Sequence, residues 1–289
     1  NSNQWFSGFC PIPGCVIFSP FRSHGRVGPA RVARSERKSA TMNIVVCVSQ
    51  TPDTTTKIRI DASGSAIATD GVKFILNPYD EFAVEEGLRQ REAHGGEVTL
   101  LCVGAASAKE NIRLGLAMGA DKAILVTTDG PTDSFGVARE LSSVIEEIGA
   151  DLVLLGRQSI DFDSAQMAPA IGEILGRPSI SFATSLEISD GRVRAERDIE
   201  GGSEVIDSSM PCIVSAQKGL NEPRYPKLPD IMKAKKKPIE ERTAAPAEAR
   251  VSTADLSMPA DKGSGKIMDY SPENVKELVR LLRDEAKVI

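Results

Sequence analysis

From Met42 onward, short runs of β-branched residues alternate with amphipathic stretches, the pattern of a parallel sheet covered by helices. Asn43–Val48 reads as the first buried strand, followed by Val98–Val103, Ala123–Val126 and Asp151–Leu155, apolar after its first residue. Between them, Asp80–Ala93 reads as a helix with Asp80 as its cap and acids in the first turns, where the helix dipole favours them. Lys109–Met118 reads as a helix ended by Gly119. Ser134–Ile148 carries Val137, Leu141, Val144, Ile145 and Ile148 on one helical face. A further helix is expected beyond Asp163, running to about Leu175, where Gly176-Arg177-Pro178 stops it.

Beyond Pro178 the period changes to two. Ser185–Ile188 and Val193–Arg197 flank Asp190-Gly191, the signature of an antiparallel hairpin. A smaller alternation at Lys57–Asp61, inside the polar stretch Thr51–Gly71, reads as a hairpin laid across the top of the sheet. Pro211–Ala216 supplies one more buried strand. From Lys218 to about Ala260 the chain is rich in Pro, Lys, Glu and Ala and reads as an extended arm. Ser271-Pro272-Glu273 then opens a last helix whose apolar face is Val275, Leu278, Val279 and Leu282. A lone helix at the end of an arm is poorly stable by itself, so it is expected to pack on a partner subunit. The expected organisation is an upstream disordered extension at 1–41, a nucleotide-binding α/β domain at 42–217, a recognition loop at 218–240, and a C-terminal arm with its helix at 241–289.

Charge sharpens this picture. The chain has 35 basic and 40 acidic residues, but six of the basic ones and a single acid fall in residues 1–41, which leaves the remainder near −10. An acidic body excludes general nucleic-acid binding, which needs a basic surface to neutralise phosphates. The first 41 residues are rich in Pro, Gly, Ser and Arg, and Met42 reads as the natural start. Phe6 to Phe21 is broken by Pro11, Pro13 and Pro20, so it fits neither a signal peptide nor a membrane helix; an Arg-rich mitochondrial presequence is the weaker alternative. The expected location is a bacterial cytoplasm, with the mitochondrial matrix as the alternative, and no membrane insertion. Five cysteines without a Cys-x-x-Cys pair and only two histidines argue against a metal centre or a histidine-based triad.

Ligands of an open parallel sheet bind beyond the carboxyl ends of its strands. The segments meeting there are Cys47-Val48-Ser49, Val103-Gly104 and the unusually polar Gly156-Arg157-Gln158-Ser159-Ile160-Asp161-Phe162-Asp163-Ser164-Ala165-Gln166. The last leads into a helix N-terminus, where backbone amides and the dipole suit a phosphate. A simple cap by Asp163 or Ser164 leaves Arg157, Gln158 and Asp161 unexplained. No Walker loop occurs, and Gly115–Gly119 reads as a helix end. A second conspicuous segment is Asn221–Lys237, in which Pro226 and Pro229 bracket Lys227-Leu228. The bracketing holds an apolar anchor out on a stiff loop amid positive charge, which suits an acidic partner.

Asn221–Lys237, together with Ala195–Glu204, Pro211–Ala216, Asp70–Lys73, Asn77–Glu81, Leu116–Asp121 and Leu155–Asp161, resembles the electron transfer flavoprotein beta subunit, in the same order, over roughly residues 42–240. The resemblance implies a Rossmann-like sheet of the adenine nucleotide alpha hydrolase-like kind and a heterodimer with an alpha subunit that holds the redox-active FAD. The beta subunit would bind a structural AMP and carry electrons without converting a substrate. By position, AMP contacts would come from Cys47, Asn77, Pro78, Tyr79, Asp80 and Val103, and from Gly156, Arg157, Gln158, Ser159, Ile160, Asp161, Asp163, Ser164, Ala165 and Gln166, with Tyr79 near the flavin of the partner.

Leu228 corresponds to the anchor in an acyl-CoA dehydrogenase pocket, within a loop that includes Arg224, Tyr225, Pro229, Ile231, Met232, Lys233 and Lys236. Electrons would pass on to a membrane quinone oxidoreductase. One departure keeps an alternative open: Asp163-Ser164-Ala165-Gln166-Met167 is closer to electron-bifurcating members, whose beta subunit carries a second FAD, and Phe162 replaces a small or polar residue. A third reading is a stand-alone nucleotide sensor of the universal-stress-protein type.

Overall fold

The computed structural model describes residues 41–128, 133–245, 249–260, 263 and 265–289; the upstream extension, as far as residue 40, lies outside the described residues. The chain runs through β1 (Met42–Cys47), β2 (Gln50–Pro52), β3 (Phe74–Leu76), α1 (Pro78–His94), β4 (Gly96–Gly104), α2 (Ala108–Met118) and β5 (Lys122–Thr127). It continues with α3 (Ser134–Ile148), β6 (Leu152–Gly156), α4 (Met167–Leu175), β7 (Ser179–Ser189), β8 (Arg192–Ile199), β9 (Gly202–Ser209) and β10 (Cys212–Ala216). A short α5 (Leu228–Ala234), β11 (Ile239–Thr243) and α6 (Pro272–Arg280), continued by a π-helical turn at Leu281–Glu285, complete it.

One nine-stranded sheet has the order β11-β5-β4-β1-β6-β10-β7-β8-β9. The seven strands from β11 to β7 are parallel, and β8 and β9 extend the sheet antiparallel. The central strands are mainly apolar because both faces are covered. Ile44 and Val46 point into a core with Ala83, Val84 and Leu88 of α1 and Ile112 and Leu116 of α2. Val45 and Cys47 point the other way, toward Ala138, Leu141 and Ile145 of α3 and Ile171 of α4. On the first side α1 approaches the sheet so closely that a Cβ on Gly87 would lie 2.9 Å from Val46 Cγ2.

Several expectations change. Asp80 does not cap α1: the helix starts at Pro78 with Asn77 as N-cap residue, and Asp80 is buried in the first turn. The hairpin in the polar stretch 51–71 reduces to a single bridge between Ile60 and Ile67, while β2 pairs with β3. The helix after Asp163 begins only at Met167. The Asp190-Gly191 hairpin forms, both residues with positive φ (49° and 72°), and gains β9 as a third strand. The stretch after Lys218, expected as an extended arm, contains α5, and β11 pairs in parallel along the β5 edge. Ser271 caps α6 as expected, its Oγ accepting the Asn274 N–H at 3.1 Å.

Candidate functional site

After β1 the chain adds β4 and β5 on one side, then crosses through α3 to place β6 on the other. The β1/β6 boundary is therefore the switch point of the sheet, where a crevice opens beyond the carboxyl ends of the strands. Asp80, 4% exposed, reaches into that point from α1. Its Oδ2 accepts from the Ser49 N–H at 2.7 Å and from the Ser49 hydroxyl at 2.8 Å, and its Oδ1 accepts from the Gly156 N–H at 3.1 Å. One side chain thus fastens the end of β1, the end of β6 and the head of α1. Burial pushes its carboxyl up to about 6, outweighing the donors that favour the charge. Position 156 requires glycine, since a Cβ there would run into Asp80 Oδ1 and lie 2.6 Å from the Tyr79 carbonyl carbon.

Asn77 makes the second tie. Its backbone N–H donates to the Ser49 carbonyl at 3.0 Å, and its Nδ2 donates to the Gln158 carbonyl at 2.9 Å. Arg157 donates its backbone N–H to the Ala216 carbonyl at 2.9 Å, and its guanidinium lies 5.0 Å from the centroid of the Phe182 ring. Phe182 adopts a left-handed conformation (φ 64°), and its N–H donates to Ser215 Oγ at 2.8 Å. Such strain in a bulky residue gathers at functional sites. Asn77 Oδ1 and Arg157 Nε are buried without a hydrogen-bond partner, so the wall beneath the crevice is not closed on itself.

The loop from Gly156 to Gln166 is shaped by its own bonds. Gln158 Nε2 donates to Asp163 Oδ1 at 2.6 Å, the Asp163 N–H to the Ser159 carbonyl at 3.0 Å, and the Phe162 N–H to Asp161 Oδ1 at 3.0 Å. Asp163 and Ala165 are left-handed (φ 50° and 51°), and backbone of mixed handedness turns successive amides into an anion-binding concavity. The loop ends at α4, whose N-cap residue Gln166 makes no side-chain cap, leaving the first-turn amides of Met167 and Ala168 for a ligand or solvent. Asn77, Asp80 and this loop are bonded together. Pro78, Tyr79, Ser159, Ile160 and Val103 are half-buried around them, while Asp161 and Ser164 are exposed. Cys47 stands at the strand end, but its thiol faces the core and burial raises its pKa far above the usual range.

The second segment sits apart from the crevice. Tyr225 and Leu228 are 93% and 74% exposed, Met232 and Ile231 are also exposed, and Leu228 is the first residue of α5, followed by Pro229. Lys233 Nζ lies 3.6 Å from Asp230, and Lys236 is exposed. Arg224, expected to face a partner, instead turns inward: its Nε is 2.7 Å from Glu85 Oε2 and its Nη1 2.7 Å from Glu92 Oε1, both on α1. Beside it lies a depression of about 320 Å³ lined by Met118, Tyr225, Lys227, Asp230, Lys233 and Lys237. Another of similar size, lined by Asn43, Glu97, Lys122 and Arg242, lies at the amino ends of the strands, away from the crevice.

Against known families, the model described as "Electron transfer flavoprotein domain" matches residues 65–247. The electron transfer flavoprotein subunit beta of Bacillus subtilis is 42% identical over 259 residues, covering 86% of this chain and 100% of the relative. The chain belongs to the electron transfer flavoprotein beta-subunit family. The proteins of the same name from Bradyrhizobium diazoefficiens and Mus musculus are 41% and 36% identical, each over 86% of this chain and 100% of their own length. Membership in a flavoprotein family brings flavin involvement with it. No helix among the described residues is long and apolar enough to cross a membrane, and no cluster of metal-ligating side chains occurs among them. Reading along the chain misses Phe182, Ser215 and the clamp role of Arg224. None of the three carries a local signal: Arg224 lies 139 residues from Glu85, and α1 buries Asp80, Glu85, Glu86 and Gln90 together, so no lone acid marks its partner.

Proposed function

We propose that this chain is the beta subunit of a heterodimeric electron transfer flavoprotein that carries electrons without converting a substrate. In this reading the switch-point crevice holds AMP, and the segment 225–236 docks an acyl-CoA or related dehydrogenase. Electrons pass through FAD held mainly by the alpha subunit to a quinone oxidoreductase. The observation that carries the reading is the Asp80 tie, which gathers β1, β6 and α1 at the switch point and sets the loop 156–166 over the uncapped end of α4.

The residues present fit an adenylate. The left-handed Asp163 and Ala165 and the amides of Met167 and Ala168 suit a phosphate, and Arg157 supplies a cation braced on Phe182. The flavin supplies the redox chemistry when bound. This chain's share is position: Tyr79 rides on the turn that Asp80 fastens, so a nucleotide in the crevice and the head of α1 are held as one rigid piece. Leu228, exposed amid lysines on an acidic body, provides an apolar anchor with a positive rim. The exposed Val275, Leu278 and Val279 of α6 give the alpha subunit a face to cover.

A second reading, a bifurcating complex with FAD in the beta crevice, is favoured by Asp163-Ser164-Ala165-Gln166-Met167 and by Phe162, 79% exposed at the loop tip. A stand-alone sensor leaves the Leu228 ridge and the α6 face without occupants. The carrier reading is tested by mixing the heterodimer with an acyl-CoA dehydrogenase and its substrate and following flavin absorbance. Bleaching that requires both is expected; none would overturn the reading.

A further inference from the structure

The docking segment is held at both ends by interactions that lie outside it. At its start, Arg224 Nε and Nη2 lie 2.7 and 2.9 Å from the two Glu85 oxygens, and Nη1 lies 2.7 Å from Glu92. Glu85 is 7% exposed, so this pair is shielded far more than a surface ion pair and retains its geometry. Asn221 joins the same place, its Nδ2 donating to the Phe82 carbonyl and to Glu86 Oε2, both at 3.0 Å.

At the other end, Arg113 of α2 donates through Nη1 to the Ala234 carbonyl at 2.6 Å and to the Lys237 carbonyl at 2.8 Å, where α5 ends. Lys237 returns the contact, its Nζ donating to the Leu116 carbonyl at 3.0 Å and to the Ala120 carbonyl at 2.5 Å, at the end of α2. Ala234 and Leu116 lie in the last turns of α5 and α2, so a cation of α2 braces the end of α5 and a cation three residues beyond α5 braces the end of α2.

Between the clamps the segment is exposed and uncommitted. Tyr225, Leu228, Ile231 and Met232 face solvent, and Lys227, Lys235 and Lys236 make no ion pair with the described residues. A seven-residue helix has no stability of its own, so the shape of this ridge is set by what holds its ends. A lysine-rich surface segment would otherwise be among the more mobile parts of the chain.

We propose that Arg113 and Arg224 are positioning residues that hold residues 225–236 as a preformed docking ridge for an acidic-rimmed apolar pocket on a protein partner, an inference that rests on the docking reading above. Association loses less ordering free energy when the anchor is already in its bound shape. Loosening a clamp therefore weakens docking without touching the anchor, the crevice or the flavin. Arg113 never meets the partner in this account. It acts through two backbone carbonyls of the ridge.

The test uses the complete heterodimer carrying Arg113→Met, with Arg224→Lys as a second variant because removing Arg224 outright strands the buried Glu85. Two quantities are read: amide hydrogen exchange of peptides spanning 225–237, and the KM and kcat for the heterodimer as electron acceptor of an acyl-CoA dehydrogenase. The expected result is exchange about ten-fold faster in that segment alone, with KM raised several-fold and kcat and flavin content unchanged. Unchanged exchange in both variants would overturn the clamp. Faster exchange with an unchanged KM, in a preparation where Leu228→Ala raises KM, would overturn the link between clamp and docking. A KM indifferent to Leu228→Ala would instead remove the docking reading on which the inference stands.

Discussion

Asp80 Oδ1 accepts the Gly156 N–H at 3.1 Å, at the spot a side chain on residue 156 would have to occupy. The hydrogen bond and the missing side chain are two sides of one requirement, because α1 can lean on the end of β6 only if nothing projects from it. Gly156→Ala is therefore expected to destabilise the subunit by about 1–3 kcal/mol through overpacking and to lower nucleotide retention. Gly104→Ala, at the end of β4 with open space around it, is the matched control and should be near neutral in urea unfolding.

Both Asp80 oxygens accept from backbone N–H groups, so the isosteric Asp80→Asn must turn an NH₂ group toward a donor. A buried mismatch of this kind is expected to cost about 1–3 kcal/mol. Nucleotide bound per purified heterodimer should fall with it, as measured by denaturing release; wild-type retention would place the nucleotide elsewhere.

The same residue gives a pH signature. Its folded pKa, about 6, lies above the ordinary 3.8, so its stabilising contribution is complete below the ordinary value and is lost as pH rises through about 6. Ser49 Oγ can reverse and accept the carboxyl proton, whereas the Ser49 and Gly156 N–H groups only donate. The stability gap between wild type and Asp80→Asn should shrink by about 3 kcal/mol or less between pH 4.5 and pH 7.5. Urea midpoints across that range test it, and a gap that widens with pH would contradict the assignment.

Leu228→Ala removes a side chain that is 74% exposed, so stability should stay within about 0.5 kcal/mol. Reduction by the dehydrogenase should slow while nucleotide content is unchanged. Stopped-flow reduction at normal rates would take the anchor role away from Leu228.

The α6 face offers a separate check. Val275, Leu278 and Val279 are exposed here and none of α6 is buried. Leu278→Asp should leave the circular dichroism of the free subunit unchanged but weaken assembly with the alpha subunit about ten-fold or more. Sedimentation of the mixed subunits measures this directly.

The parallel strands were legible because burial on both faces demands unbroken apolar runs, and α6 because Ser271-Pro272 is a local start signal. The sequence 156–166 stood out for a local reason too, polarity placed directly after an apolar strand. What escaped is non-local. Asp80 resembles a first-turn acid, yet its partners lie 31 and 76 residues away. Strand β11, with Glu240, Glu241 and Arg242, looks like a solvated arm because an edge strand tolerates such charges; only its pairing with β5 makes it a strand. The left-handed backbone at Phe182, within β7, has no signal in its residue type, since that conformation favours glycine.

The most direct measurement is co-expression with the alpha subunit, followed by denaturing release and quantification of nucleotide per heterodimer. One FAD and one AMP are expected if the Asp80-tied crevice holds a structural adenylate. Two FAD, or an empty crevice in an intact heterodimer, would contradict that claim.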